Sequence, residues 1–153
     1  MTDYPVRAVT VSAHLSLPSE DVFKFIADTR NDPLWCPNVD TAELVAGDGV
    51  EVGSRFTFHQ HLDRGQKRLE FDGEVEVVAL ADRSIHWIVS DRFQVREIEL
   101  AVESEGDGSR ITQTTRARFR KPPGMAKWAY PFIAKRTFKD QFSKLEDYLS
   151  NED

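Results

Sequence analysis

Four sets of side chains in this 153-residue chain are of types that do chemistry. Glu70, Asp72, Glu74 and Glu76 stand two residues apart, a spacing that lines them along one face of a strand and would supply acid/base pairs to a substrate on that face. His59 and His61 repeat the spacing and could hold a divalent metal if further ligands lay near. Cys36, the only cysteine, follows Trp35 in the stretch NDPLWCPNV between Pro33 and Pro37, either as a nucleophile with an aromatic neighbour or as a packed corner. Arg96 offers a planar donor fork to a carboxylate, enolate or phenolate. Which of these chemistries is available depends on where each side chain faces, and the surrounding elements decide that.

Composition narrows the classes first. A formal net charge of -6 and a pI near 5.2 leave no basic stripe for phosphates, so no nucleic-acid partner is expected. One cysteine excludes an internal disulfide, and the start MTDYPVRAVTV lacks the basic and apolar regions of a signal peptide, so a cytoplasmic location is expected. No apolar run approaches the ~20 residues of a membrane span. The length fits a single domain over residues 1–153.

Residues 7–16 alternate Val9, Val11, Ala13 and Leu15 with polar neighbours, the pattern of a half-buried strand. Pro18, then Ser19 as N-cap and Glu20 and Asp21 in the first turn, start a helix that carries Val22, Phe23, Ile26 and Ala27 to about Asp28. A short helical turn and a weak strand ending near Val45 follow. Five strands over 53–62, 67–78, 84–90, 93–104 and 109–120 form an antiparallel meander. The C-terminal region has two apolar stripes, Met125, Trp128 and Phe132, then Phe138, Phe142, Leu145 and Leu149. They point in different directions, and a kink at Pro131 would reconcile them.

This order of elements, the segment SEDVFKFIADTRNDPLWCPNV, the V-G-x-x-F run from Val52 to Phe56, and the C-terminal FSKLEDYL resemble the START/Bet v1-like (SRPBCC) superfamily, in its bacterial polyketide cyclase/dehydrase branch. The resemblance covers nearly the whole chain. It implies an α+β helix-grip fold: a curved antiparallel sheet of about seven strands around a long C-terminal helix, two short helices between strands 1 and 2, and an internal cavity. It also implies a part in secondary metabolism.

Hairpin registers sort the faces. Centring the loop Glu105–Gly108 pairs Arg110 with Glu103, Thr114 with Glu99 and Arg116 with Glu97 outside, and Gln113 with Leu100, Thr115 with Ile98 and Ala117 with Arg96 inside. Centring the next turn on Asp91 and Arg92 pairs Trp87 with Arg96 and Val89 with Gln94, with Val75 beside Trp87. The loop Asp63–Gln66 pairs Gln60 with Leu69, Phe58 with Phe71 and Phe56 with Gly73. The four acids then face solvent, with His59 opposite Glu70 and Arg55 opposite Glu74 as cross-strand charge pairs. His59 and His61 share that outer face without visible further ligands, so no metal is expected.

Inside, Gln60, Gln94, Arg96, Gln113 and Thr115 converge with Ala117 among Phe56, Phe58, Phe71 and Trp87. Trp128 and Phe132 would face them from the long helix. Polar groups inside an aromatic wall describe a ligand pocket, although some could bond to one another or sit at the rim. Arg96 would stack on Trp87 or pair with an acid, Asp91 being the nearest by register. Trp35 would lie over the mouth or floor of the cavity, and Cys36, with no Lys, Arg or His within 31–39, would be an inert buried thiol. The expected function is binding of a small hydrophobic or aromatic, polyketide-like or lipid-like molecule, for sequestration, transport or self-protection, by a monomer or weak homodimer without a cofactor. The alternative is a cyclase/dehydrase enzyme in the same cavity with Arg96 as the leading catalytic candidate. No inward His, Glu or Asp emerges as its general base.

Overall fold

The computed structural model describes residues 4–121 and 129–151. β1 (Tyr4–Pro5) and β2 (Val9–Leu15) precede α1 (Ser19–Ile26), a 3-10 turn (Thr29–Asn31) and α2 (Asp32–Trp35). The meander follows as β3 (Val39–Ala46), β4 (Arg55–Arg64), β5 (Lys67–Ala81), β6 (Ser84–Asp91), β7 (Gln94–Glu105) and β8 (Gly108–Phe119), and α3 (Tyr130–Ser150) closes the chain. The strands form one antiparallel sheet in the order β1-β8-β7-β6-β5-β4-β3, with β2 also paired to β8. This is the helix-grip architecture: seven long strands and the two-residue β1, with α3 laid against β2 and α2.

Local chemistry explains the helices, with two departures from expectation. α1 buries Val22 and Ile26 and carries Glu20 and Asp21 at its positive end. Ser19, however, is inside the helix and caps nothing: its hydroxyl bonds Ser104 Oγ at 2.9 Å and accepts from Arg83 Nη1 at 2.6 Å, which pins α1 to β7. Pro33 lies in the first turn of α2 and Cys36 ends it. Pro131 also lies in a first turn, that of α3. There it deprives the helix of no hydrogen bond, so the expected kink is unnecessary. Phe138, Phe142 and Leu145 are buried, as their spacing requires, whereas Phe132 is 69% exposed. Met125 and Trp128 lie outside the described residues.

The β7–β8 register matches the sequence reading: Arg96 faces Ala117, Ile98 faces Thr115 and Leu100 faces Gln113. Three other registers are shifted by two residues. Ser90 and Val95 form the last β6–β7 pair, so Arg96 faces Val89 and Trp87 faces Ile98. The cause is Asp91, whose Oδ1 accepts from the backbone N–H of Phe93 at 2.7 Å and of Gln94 at 3.1 Å, widening the turn. Between β4 and β5 the loop tightens to Gly65 and Gln66, Gly65 having φ +60°, so Phe58 faces Gly73 and Gln60 faces Phe71. Ala81 pairs with Ser84 across a two-residue turn, and a bulge that skips Val78 then brings Val77 opposite Trp87, where Val75 was expected. Because a two-residue shift preserves the face, inner and outer sets survive.

Candidate functional site

A cavity of about 320 Å³ lies between the concave face of the sheet, α2 and the first half of α3, at the lower end of the roughly 300 to 1,000 Å³ typical of small-molecule sites. Each wall follows from sequence. Alternation on β4 to β7 turns Phe58, Phe71, Trp87 and Ile98 inward, while α3 supplies Tyr130, Ile133, Ala134 and Phe138 one turn apart. Gly73 makes room for Phe58, since a Cβ there would clash with the phenyl ring and approach the Ser90 carbonyl to 2.8 Å. Trp35 borders the cavity from α2 and stacks on Phe142 with centroids 6.4 Å apart and planes at 16°, which ties α2 to α3.

Eight residues singled out from the sequence border this space: Trp35, Phe58, Gln60, Phe71, Trp87, Gln94, Arg96 and Gln113. Phe56, Thr115 and Ala117 are buried as their parity requires, but sit in the core away from the cavity wall. Phe132 points to solvent, and its neighbour Ile133 takes the wall position because α3 starts at Tyr130. Trp128 lies outside the described residues.

The polar groups divide into satisfied and unsatisfied. Gln113 Nε2 donates to Thr115 Oγ1 and Gln60 Nε2 to Asp91 Oδ2, both at 3.4 Å. Asp91 is therefore engaged with Gln60 and its own turn, and no carboxylate of the described residues reaches Arg96 within salt-bridge distance. Three buried wall atoms have no hydrogen-bond partner among the described residues: Trp87 Nε1, Arg96 Nε and Gln94 Oε1. Each such group costs about 1 to 3 kcal/mol, so three at one cavity call for an explanation.

Register reasoning missed Asp32, an acid in the cavity wall. It is the first residue of α2, where an acid reads as a helix-end charge, yet Trp35 stands three residues later on the same helix face. An inward Trp35 therefore implied an inward Asp32. Burial pushes its carboxyl up to about 8 and Asp28 adds to the rise, while a hydrogen bond donated by the Trp35 indole and the charge of Arg96 act in the opposite sense. By area the residue is only partly buried, because its accessible side faces the cavity. Burial opposes ionisation of Asp28 too, but side-chain and backbone hydrogen bonds from Arg30 hold it below the usual carboxylate range, so it repels a second charge at Asp32. Burial raises the Cys36 thiol well above 9.0, with Asp32 contributing, and raises the Tyr130 phenol. Neither is a nucleophile at neutral pH.

On the convex face, parity alone did not disclose the contribution of β3. Asp40, His59 and Glu70 place ligand-type atoms within 4.8 Å of one another. His59 Nδ1 lies 2.6 Å from Asp72 and Nε2 3.4 Å from Glu70, while His61 Nδ1 lies 2.9 Å from Asp40. Hydrogen bonds to Asp72 and then Glu70 favour protonated His59. The Arg68 guanidinium, 3.7 Å from Asp40 and 4.0 Å from Glu70, adds a second cation, so the acids already have charge partners.

The family model described as "Polyketide cyclase / dehydrase and lipid transport" matches residues 7–150. No curated protein matches the chain. Among solved structures, a START superfamily protein from Mycobacterium smegmatis superposes with a TM-score of 0.76 at 15% identity, covering 92% of this chain and 94% of its own. Ginseng major latex-like protein 151 from Panax ginseng gives 0.74 at 13% identity over 94% and 97%. A protein from Thermus thermophilus gives 0.73 at 16% identity over 96% and 100%. Likeness at these identities is likeness of fold. No helix of the described residues is long and apolar enough to cross a membrane.

Proposed function

Given that the chain belongs to the polyketide cyclase/dehydrase and lipid transport family, we propose that it encloses a small aromatic, polyketide-like or lipid-like molecule in the cavity between sheet and α3. Sequestration, transport or self-protection would each use this binding. The observation that carries the reading is the convergence of three partnerless buried polar atoms on a cavity walled by Trp35, Phe58, Phe71, Trp87 and Phe138. An aromatic wall supplies affinity through apolar burial, and sparse polar groups orient the guest.

A second reading, cyclase or dehydrase, is favoured by Asp32. An acid that keeps its proton at neutral pH can donate it to a ligand carbonyl. The Arg96 guanidinium would stabilise the enolate formed when solvent water accepts an α-proton. One experiment separates the two: incubation with a poly-β-keto mimic, following melting temperature and products together. Sequestration predicts a raised melting temperature and the product distribution of buffer alone. A changed distribution, lost in Asp32→Asn, would establish the enzyme instead, and no change in melting temperature or products would overturn both.

A further inference from the structure

We propose that the guest is an acid, an aromatic molecule bound as a monoanion with its charged oxygen on Arg96 and a further oxygen on the indole N–H of Trp87. This deepens the binding reading above and rests on it. Among the described side chains in the cavity wall, Asp32 and Arg96 are the only ones of ordinarily charged type. Asp32 holds its proton near neutrality, and burial keeps Cys36 and Tyr130 uncharged. The wall therefore carries a single positive charge.

That charge has no carboxylate counterpart within salt-bridge distance among the described residues, and Arg96 Nε is buried without an acceptor. The neutral groups add one indole N–H donor without an acceptor, Trp87 Nε1, and one acceptor without a donor, Gln94 Oε1. Two donors, one of them charged, and one acceptor fit a guest with an anionic oxygen, a second acceptor oxygen and one hydroxyl to give, such as a hydroxylated aromatic carboxylate or a phenolate beside a carbonyl. A lipid chain or plain hydrocarbon would leave all three unmet. The formal charge of -6 on the whole chain gives no general attraction for anions, so recognition must be local.

Isothermal titration calorimetry at pH 7 with 3-hydroxy-2-naphthoate and its methyl ester tests this, because the pair differs in charge at nearly constant shape. The acid is expected to bind at least tenfold tighter than the ester. Arg96→Gln should bring the two within about twofold by weakening the acid alone. An ester that binds as tightly as the acid to the wild-type protein overturns the anion proposal while leaving cavity binding intact, as does an acid preference that survives Arg96→Gln. Failure of both compounds, and of neutral 2-methylnaphthalene, overturns the binding reading itself. The wild-type comparison decides the matter even if the variant does not fold.

Discussion

Asp32 takes up a proton on folding, and stability must reflect this. Its carboxyl rises from 3.8 to about 8, so its contribution is fully present below about pH 4 and is lost as pH climbs toward 8. Asp28, Trp35, Arg96 and Cys36 are the polar and titratable groups that act on or respond to it. Asp32→Asn should therefore gain on wild type between pH 5 and pH 8.5. The expected gain is about 1 to 3 kcal/mol, less than the roughly 4 kcal/mol of three full pH units at 1.36 each, since the cavity-facing side of the carboxyl stays partly solvated. Urea melts at the two pH values measure it, and equal gaps at both would show that Asp32 ionises normally. At this scale the sequence identified Arg96 and Trp35 but not Asp32, because a strand-based register cannot see an acid carried on a four-residue helix.

Among the elements, turns decide position along a strand and alternation decides only the face. The inner and outer sets of β4 to β8 were legible because period-two patterning survives a two-residue shift. Which inner residues reach the cavity was not: Phe56 faces inward like Phe58 but lies in the core. The hidden variable was turn chemistry, above all Asp91, which accepts from two backbone N–H groups and from Gln60. Asp91→Ala should destabilise the protein by about 1 to 3 kcal/mol, with no comparable loss in Asp91→Asn, which keeps the acceptor. Denaturant midpoints at constant m-value provide the check. Likewise Pro131 reads as a kink only if the helix is assumed to begin at Met125, whereas the described helix begins at Tyr130.

Over the whole molecule, several charges of the convex face stand in pairs, as at His59 with Asp72 and Arg110 with Glu105, while Arg96 at the cavity has no carboxylate partner among the described residues. The architecture was legible because nearly every local pattern agreed with it. The pairing of β2 on β8 has a consequence for the order of events in time. Thr10 and Thr114 meet through their hydroxyls at 3.0 Å although 104 residues separate them. The meander hairpins can form locally, but this closure must wait for the last strand, as must the seating of α3 against β2. Such non-local topology folds on a scale of about milliseconds to seconds. A guest that recognises only the closed cavity should then leave the refolding rate within about twofold and slow unfolding as its concentration rises, which stopped-flow measurements with 3-hydroxy-2-naphthoate would register. The cavity is thus among the last parts of the chain to be completed, and a guest held there would lengthen the life of the folded state without hastening its arrival.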